Sequence, residues 1–141
     1  MPIKSEVLRK IPFFSIFKNE AELQAFVQAG NWAKHASGDM IYRIGEPARK
    51  IYVIVSGKVR IIRHQKNLAT LGLGEVFGEI GPLLELERTV NAVAAGDTIL
   101  FEFDKGVLDR ASLETRCELI QHLYIVTTRR FVETTRRISA I

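Results

Sequence analysis

Between Trp32 and about Phe103 the sequence alternates apolar and polar residues with a period of two, and this alternation constrains the fold more than any other feature. Its segments are rich in Val, Ile, Tyr and Phe, the residue types that suit strands with one buried face. Turns that contain glycine interrupt the segments at a spacing of roughly 8–12 residues or a little more. Short strands separated in this way predict an antiparallel sandwich or barrel rather than a parallel sheet. The turns are Gly38-Asp39, Gly45-Glu46, Ser56-Gly57-Lys58 and Gly96-Asp97.

Helical patterns flank the predicted strands on both sides. Residues 3–30 are expected to be helical, with Ser5 as the cap of one helix and a further helix that begins at Asn19 and stops at Gly30. The connector between them, IPFFSIF, is too hydrophobic to be left in water. Its aromatic residues are therefore expected to cover the open edge of the β domain. They are Phe13, Phe14 and Phe17.

The pattern becomes helical again from about Asp104, and Ser112 is a candidate cap for a long C-terminal helix. Residues of this helix recur at alternating spacings of three and four, which is a heptad seam. A helix of this length cannot pack wholly on its own β domain, so we expect a homodimer formed through this helix. The seam residues are Cys117, Ile120, Tyr124, Thr127, Phe131, Thr134 and Ile138.

The C-terminal part is also basic, with six arginines against three glutamates from residue 110 onward. A basic helix could bind nucleic acid. No aromatic residue interleaves with the arginines on one surface, so a solvated helix face is the favoured interpretation. The arginines are Arg110, Arg116, Arg129, Arg130, Arg136 and Arg137.

The chain of 141 residues is long enough for one hydrophobic core and is predicted to be a single domain. No apolar run approaches the ~18 residues that span a bilayer, and the N-terminus lacks the features of a signal peptide. A single cysteine, Cys117, excludes an intrachain disulfide. We therefore expect a cytoplasmic protein with no membrane association.

The stretch GEVFGEIGPLLELERT, residues 74–89, is rich in glycine and carries the chemistry of the chain. A dinucleotide-binding fingerprint would have to open a long helix within a βαβ unit. Pro82 limits the following helix to a short one, and the downstream sequence is typical of strands. A P-loop is excluded because no Gly-Lys-Ser/Thr follows.

The remaining interpretation is a loop that closes its backbone on a ligand and continues into a short helix near Glu79 to Leu86. Free N–H groups at a helix start suit an anion, and Arg88 could bring a planar guanidinium to the same anion. A carboxylate such as Glu79 should repel an anion. Its presence makes sense if the ligand also carries a hydroxyl close to its charge, because Glu79 could accept a hydrogen bond from that hydroxyl while Arg88 and the backbone hold the anion. A ribose cyclic phosphate offers that combination.

Phe77-Gly78-Glu79-Ile80 followed by Arg88-Thr89 resembles the phosphate-binding cassette of the cyclic nucleotide-binding domains of bacterial activators, kinases and channels. The family pattern is Phe-Gly-Glu, an aliphatic residue, Ala or Gly, and Leu, then a spacer and Arg with a small residue. IYRIGEPARKIYVIVSGKVRI also resembles the two central hairpins of the family, and LRKIPFFSIFKNEAELQAFV resembles its helical lead-in. The resemblance thus covers essentially the full chain.

This resemblance implies a mainly β fold with flanking helices: an eight-stranded antiparallel β-roll, or jelly roll, with N-terminal helices and a long C-terminal helix. The lead-in would occupy residues 1–31, the roll residues 32–103 with the cassette at 77–90, and the C-terminal helices residues 104–141. It also implies that Arg88 pairs with the cyclic phosphate and that Glu79 accepts a hydrogen bond from the ribose 2′-hydroxyl. Backbone amides would complete the anion site, around Gly78, Ile80 and Thr89.

The stretch RRFVETTRR resembles the RRLQVTSEK stretch in the long helix of the bacterial activators. On that match Thr134 would approach the base from its own chain and Thr135 from the partner chain. After Thr135 only six residues follow, whereas an activator would continue into a helix-turn-helix domain. DNA binding by this chain alone is therefore not expected.

Two residues depart from the family pattern. Pro82 replaces a more usual apolar or small residue, and Val90 stands where Ala or Pro is commoner and would narrow the pocket. Thr89 is compatible with either ligand, since threonine there contacts guanine in cGMP-selective members, yet Ser or Thr also occurs in cAMP binders. We expect cAMP rather than cGMP as the ligand.

These features together favour a regulatory cyclic nucleotide sensor that is not an enzyme and signals by repositioning its C-terminal helix to an unknown downstream protein. The histidines show no metal-ligand spacing and no His-x-His pair of a cupin enzyme, so no metal is expected. One alternative is a β-roll that has lost nucleotide binding and serves as a protein-interaction or dimerisation module. A structural salt bridge between Glu79 and Arg88 would fit that alternative.

Overall fold

The structure is a computed structural model that describes residues 3–139 of the chain. Three helices lie at the N-terminus: α1 (Ser5–Leu8), α2 (Pro12–Ser15) and α3 (Glu20–Ala29). The strands are β1 (Asn31–His35), β2 (Met40–Tyr42), β3 (Lys50–Ser56), β4 (Val59–Arg63), β5 (Lys66–Leu71), β6 (Val76–Phe77), β7 (Asn91–Ala94) and β8 (Thr98–Asp104). The remaining helices are α4 (Ile80–Leu84), α5 (Lys105–Asp109) and α6 (Leu113–Ser139).

The eight strands form two four-stranded sheets in the orders β1-β8-β3-β6 and β2-β7-β4-β5, and every named pair is antiparallel. This confirms the predicted eight-stranded antiparallel roll with flanking helices. Strand β3 is buried at five successive positions, 51–55, because one face meets the opposite sheet and the other meets the helices. A strand covered on both faces is apolar throughout rather than alternating.

Two clusters of buried side chains hold the fold together. The first packs the N-terminal helices, α5 and α6 against the sheet of β1 and β8. Its aromatic members include Phe13, Phe14 and Phe17, each at most 1% exposed, as the sequence predicted. The second cluster lies between the two sheets and contains Tyr42, Tyr52 and Phe77. This second cluster forms the floor of the candidate site.

The predicted helix start at Asn19 and the predicted cap at Ser112 are confirmed, and the predicted cap at Ser5 is not. The Asn19 side chain accepts from the Glu22 N–H at 2.8 Å, and the Ser112 hydroxyl accepts from the Thr115 N–H at 3.3 Å. The prediction for Ser5 was wrong, because helix α1 begins after Lys4 and has no side-chain cap. The Ser5 hydroxyl donates to Glu20 of α3 instead.

Helix α6 has 27 residues and so extends about 40 Å at 1.5 Å per residue. Its first half packs on the roll through Leu119 and Leu123, which are 0% and 2% exposed. Beyond them Tyr124 and Phe131 are 68% and 66% exposed. Within the described residues no helix is both long enough and apolar enough to cross a membrane.

Candidate functional site

The glycine-rich stretch connects β6 to β7 through the short helix α4. Gly78 has a φ of +76°, a backbone conformation that glycine adopts without strain. Helix α4 ends at Leu84, earlier than the predicted Leu86, because Glu85 takes a left-handed conformation with φ +57°. The Leu86 N–H then bonds the Gly81 carbonyl at 2.9 Å, which turns the chain back towards the roll.

Arg88 is buried, with 5% of its surface exposed. Its Nη1 donates to the Gly78 carbonyl and its Nη2 to the Lys50 carbonyl, both at 2.7 Å. Its guanidinium carbon lies 4.0 Å from the centroid of the Tyr42 ring, within the range of a cation–π contact. These contacts hold the guanidinium in one orientation without neutralising its charge.

Within residues 3–139 the ion pairs do not include Arg88. A buried cation is costly unless an anion accompanies it. The predicted alternative, a structural salt bridge between Glu79 and Arg88, is therefore absent from the described part of the chain. The arrangement of Arg88 suits an anionic ligand.

The aromatic floor beneath Arg88 is closely packed and stays uncharged. The rings of Tyr52 and Phe77 stack with centroids 5.0 Å apart. Burial raises the pKa of the Tyr42 phenol to about 12, although the nearby Arg88 charge acts in the opposite direction. Tyr42 therefore keeps its proton at neutral pH and places no negative charge beside the guanidinium.

Glu79 precedes helix α4 and is also buried, at 3% exposure. Its Oε1 accepts from the Thr127 hydroxyl at 2.9 Å and from Arg130 Nη1 at 3.4 Å. Both partners lie on helix α6. The sequence placed Thr127 on the seam and Arg130 on a solvated face, and so missed both contacts. Their separation of three residues, which puts them on one helix face, was the available signal.

Arg130 has capacity for a further acceptor. Its Nη2 lies 4.0 Å from Glu75 Oε1, which is too far for a hydrogen bond. That nitrogen is buried and has no hydrogen-bond partner among the described residues. Since Arg130 lines the same cavity as Arg88, a second donor is available to an anion there.

A cavity of about 200 Å³ lies between the cassette, strands β4 and β5, and helix α6. Six of the seven predicted site residues line it: Gly78, Glu79, Ile80, Arg88, Thr89 and Thr134. Thr135 does not line it, and its hydroxyl donates to the Val132 carbonyl at 2.9 Å. Val90, which departs from the family pattern, also lines the cavity.

Helix α6 closes the cavity on the side opposite the roll. It contributes Arg130, Glu133, Thr134 and Arg137 to the wall. Arg137 also donates a hydrogen bond to the Leu68 carbonyl of β5. The cavity therefore depends on where α6 lies. Among residues 3–139 no cluster of three or more His, Cys, Asp or Glu side chains is arranged to hold a metal ion.

Two curated proteins with similar sequences are named for cyclic nucleotides. The cyclic AMP receptor protein of Thermus thermophilus is 37% identical over 93 residues, which are 62% of this chain and 42% of that protein. The cGMP-dependent protein kinase of Plasmodium berghei is 26% identical over 105 residues, which are 74% of this chain and 12% of the kinase. The chain thus spans less than half the length of these curated relatives.

A solved structure and a family pattern also match this chain. A cyclic nucleotide-binding domain from Methylobacillus flagellatus has the same fold, with a TM-score of 0.81 and 17% identity, covering 96% of this chain and 83% of that one. The family described as the cyclic nucleotide-binding domain matches residues 33–114, more than half of the chain. The chain belongs to the cyclic nucleotide-binding domain family.

Proposed function

We propose that this domain binds a cyclic nucleotide with its phosphate on Arg88 and its ribose 2′-hydroxyl on Glu79. The observation that carries the proposal is the buried guanidinium, which is held by two carbonyls and a ring but has no carboxylate partner among the described residues. A phosphate would supply the missing charge through the bidentate geometry that arginine favours. The backbone of Gly78, Ile80 and Thr89 borders the same space and would complete the anion site.

The ligand is proposed to be cAMP in preference to cGMP. The identity to a cyclic AMP receptor protein supports this choice. Thr89 and Thr134 both line the cavity and offer hydroxyls to a base. We retain Thr135 as a residue that contacts the base bound by the partner chain, in a homodimer formed through α6.

The output is proposed to be the position of helix α6. The helix supplies one wall of the cavity, so a ligand that contacts this wall stabilises the docked helix. The exposed apolar side chains of Ile120, Tyr124 and Phe131 then face a second copy or a downstream protein. On this proposal the domain is a cytoplasmic binding and regulatory module and performs no catalysis.

The test is calorimetric titration of protein that has been stripped of ligand by unfolding and refolding, with cAMP and cGMP in parallel. Arg88→Ala should weaken binding by ~2 kcal/mol or more, because a buried phosphate would lose its main partner. Arg43→Ala removes an exposed arginine and serves as the matched control. Near-unchanged affinity in a folded Arg88→Ala protein would exclude the assigned role. No heat with either nucleotide would favour the alternative of a roll without nucleotide binding.

A further inference from the structure

Two side chains of helix α6 bond the cassette glutamate directly. The Thr127 hydroxyl donates to Glu79 Oε1 at 2.9 Å across 48 residues of sequence. Arg130 reaches the same oxygen at 3.4 Å, at the long limit of a hydrogen bond, and is shared with Glu75. The Thr127 contact is therefore the better-formed link between helix and cassette.

These two bonds leave half of the carboxylate available. Both helix contacts use Oε1 of Glu79, and within residues 3–139 no hydrogen bond to Oε2 is formed. An ionised carboxylate can accept about four hydrogen bonds. Glu79 can consequently bond Thr127 and a ligand hydroxyl at the same time, so the two do not compete.

Helix and ligand also assist each other through charge. A buried carboxylate beside a phosphate is repulsive, and Glu79 is only 3% exposed. Donors from Thr127 and Arg130 disperse that negative charge when the helix is docked. Docking therefore makes the cavity more favourable to an anion as well as closing its wall.

We propose that Thr127 is a positioning residue that anchors helix α6 on the cassette through its bond to Glu79. The anchor itself requires no ligand, whereas its coupling to nucleotide affinity rests on the proposed function. The anchor favours the docked helix, and a nucleotide that contacts this cavity wall stabilises the docked helix further. Loss of the anchor lowers the apparent affinity in proportion to the fraction of molecules whose helix is undocked.

The experiment compares Thr127→Val, which keeps the shape and removes the hydroxyl, with Thr127→Ser, which keeps the hydroxyl. Thr128→Val is the matched control, because it makes the same change at a neighbouring position on the same helix. Hydrogen exchange of peptides covering residues 120–137 is measured by mass spectrometry in stripped protein, and again with saturating cAMP. Calorimetry with cAMP gives the affinity of each variant.

Without nucleotide, Thr127→Val should exchange ~10-fold faster than the parent protein over this part of the helix, from loss of a hydrogen bond to a charged group. Thr127→Ser and Thr128→Val should match the parent. In a Glu79→Ala background Thr127→Val should have no further effect, because the acceptor is gone. With cAMP the helix should be protected again, at a weaker apparent affinity.

Equal exchange of the helix in Thr127→Val, Thr128→Val and parent protein would overturn the anchor. Exchange in Thr127→Ser as fast as in Thr127→Val would overturn it too, since the hydroxyl would then be irrelevant. A third outcome is faster exchange of the helix in Thr127→Val that cAMP does not slow in any variant, together with no heat of cAMP binding in the parent protein. That outcome would support the anchor and contradict the proposed function. The anchor and the proposed function can therefore fail separately.

Discussion

Substitution of Gly78 by alanine tests the geometry of the cassette at its tightest point. An added Cβ at Gly78 would lie 3.0 Å from Arg88 Nη1 and 3.0 Å from Tyr52 Cδ2. Gly78 also has a φ of +76°, where any other residue is strained. The substitution therefore imposes backbone strain and displaces the guanidinium from the Gly78 carbonyl.

The expected loss of unfolding free energy in Gly78→Ala has two parts. The left-handed backbone costs ~1–2 kcal/mol of unfolding free energy for a residue with a side chain. The ring of Tyr52 cannot move easily because it stacks on Phe77, so Arg88 must shift and lengthen its 2.7 Å bond to Gly78. Loss of a hydrogen bond from a charged group adds ~1.5–3 kcal/mol. The total for Gly78→Ala is thus ~2.5–5 kcal/mol.

Gly38→Ala is the matched control for this prediction. Gly38 has a φ of +89°, and a Cβ there would meet nothing within 4 Å. Gly38→Ala should therefore lose only the ~1–2 kcal/mol of unfolding free energy that the left-handed backbone costs, and it should bind cAMP with unchanged affinity. Urea unfolding and calorimetry measure the two effects. Equal losses of stability in Gly38→Ala and Gly78→Ala, together with equal cAMP affinities, would refute the claim that Gly78 sets the position of Arg88.

Three further predictions concern other parts of the site and the fold. The parent protein is expected to bind cAMP ~10-fold more tightly than 2′-deoxy-cAMP, and Glu79→Ala should abolish this difference because the acceptor for the 2′-hydroxyl is gone. A difference in affinity that survives in titrations of Glu79→Ala with both ligands would contradict the role assigned to Glu79. Burial lowers the pKa of His122, which packs near the Phe13 ring, below its ordinary value of 6.5. As the pH falls, the unfolded chain therefore binds a proton at this histidine before the folded protein does. The free energy of unfolding should consequently fall as the pH drops below about 6.5. His122→Gln should show a shallower fall between pH ~7 and ~5 in urea unfolding, and an identical slope in both proteins would count against this. In the proposed homodimer the exposed Cys117 lies on the seam of α6. An added oxidant should therefore produce a disulfide-linked dimer of the parent protein and none of Cys117→Ser. A protein that sediments as a monomer at all concentrations would argue against that dimer.

The local features of the fold were largely predictable from the sequence. Alternating apolar residues and glycine turns predicted the antiparallel roll. Asn19 was recognised as the start of a helix, where its side chain accepts from the Glu22 N–H three residues further on. The cassette brings Glu79 and Arg88 to one cavity, as the motif predicted, since both lie within a single short loop and helix.

Contacts between distant segments were not predictable in the same way. The bond from Thr127 to Glu79 depends on how α6 is rotated and translated on the roll, which a heptad pattern does not determine. The cap at Ser5 failed for a similar reason, because Glu20 of a different helix takes its hydroxyl. Helix α4 ended early because Glu85 adopts a left-handed conformation, which glycine usually provides.

The most direct test of the role of Arg88 measures the affinities of cAMP and adenosine for the parent protein and for Arg88→Ala. Adenosine retains the base and the 2′-hydroxyl but has no phosphate, so it separates the role of Arg88 in anion binding from its role in the fold. We predict that Arg88→Ala weakens cAMP binding ~30-fold or more, from the loss of ~2 kcal/mol, and leaves adenosine binding unchanged within about twofold. An equal loss for both ligands, or no loss for cAMP, would show that Arg88 does not bind the phosphate.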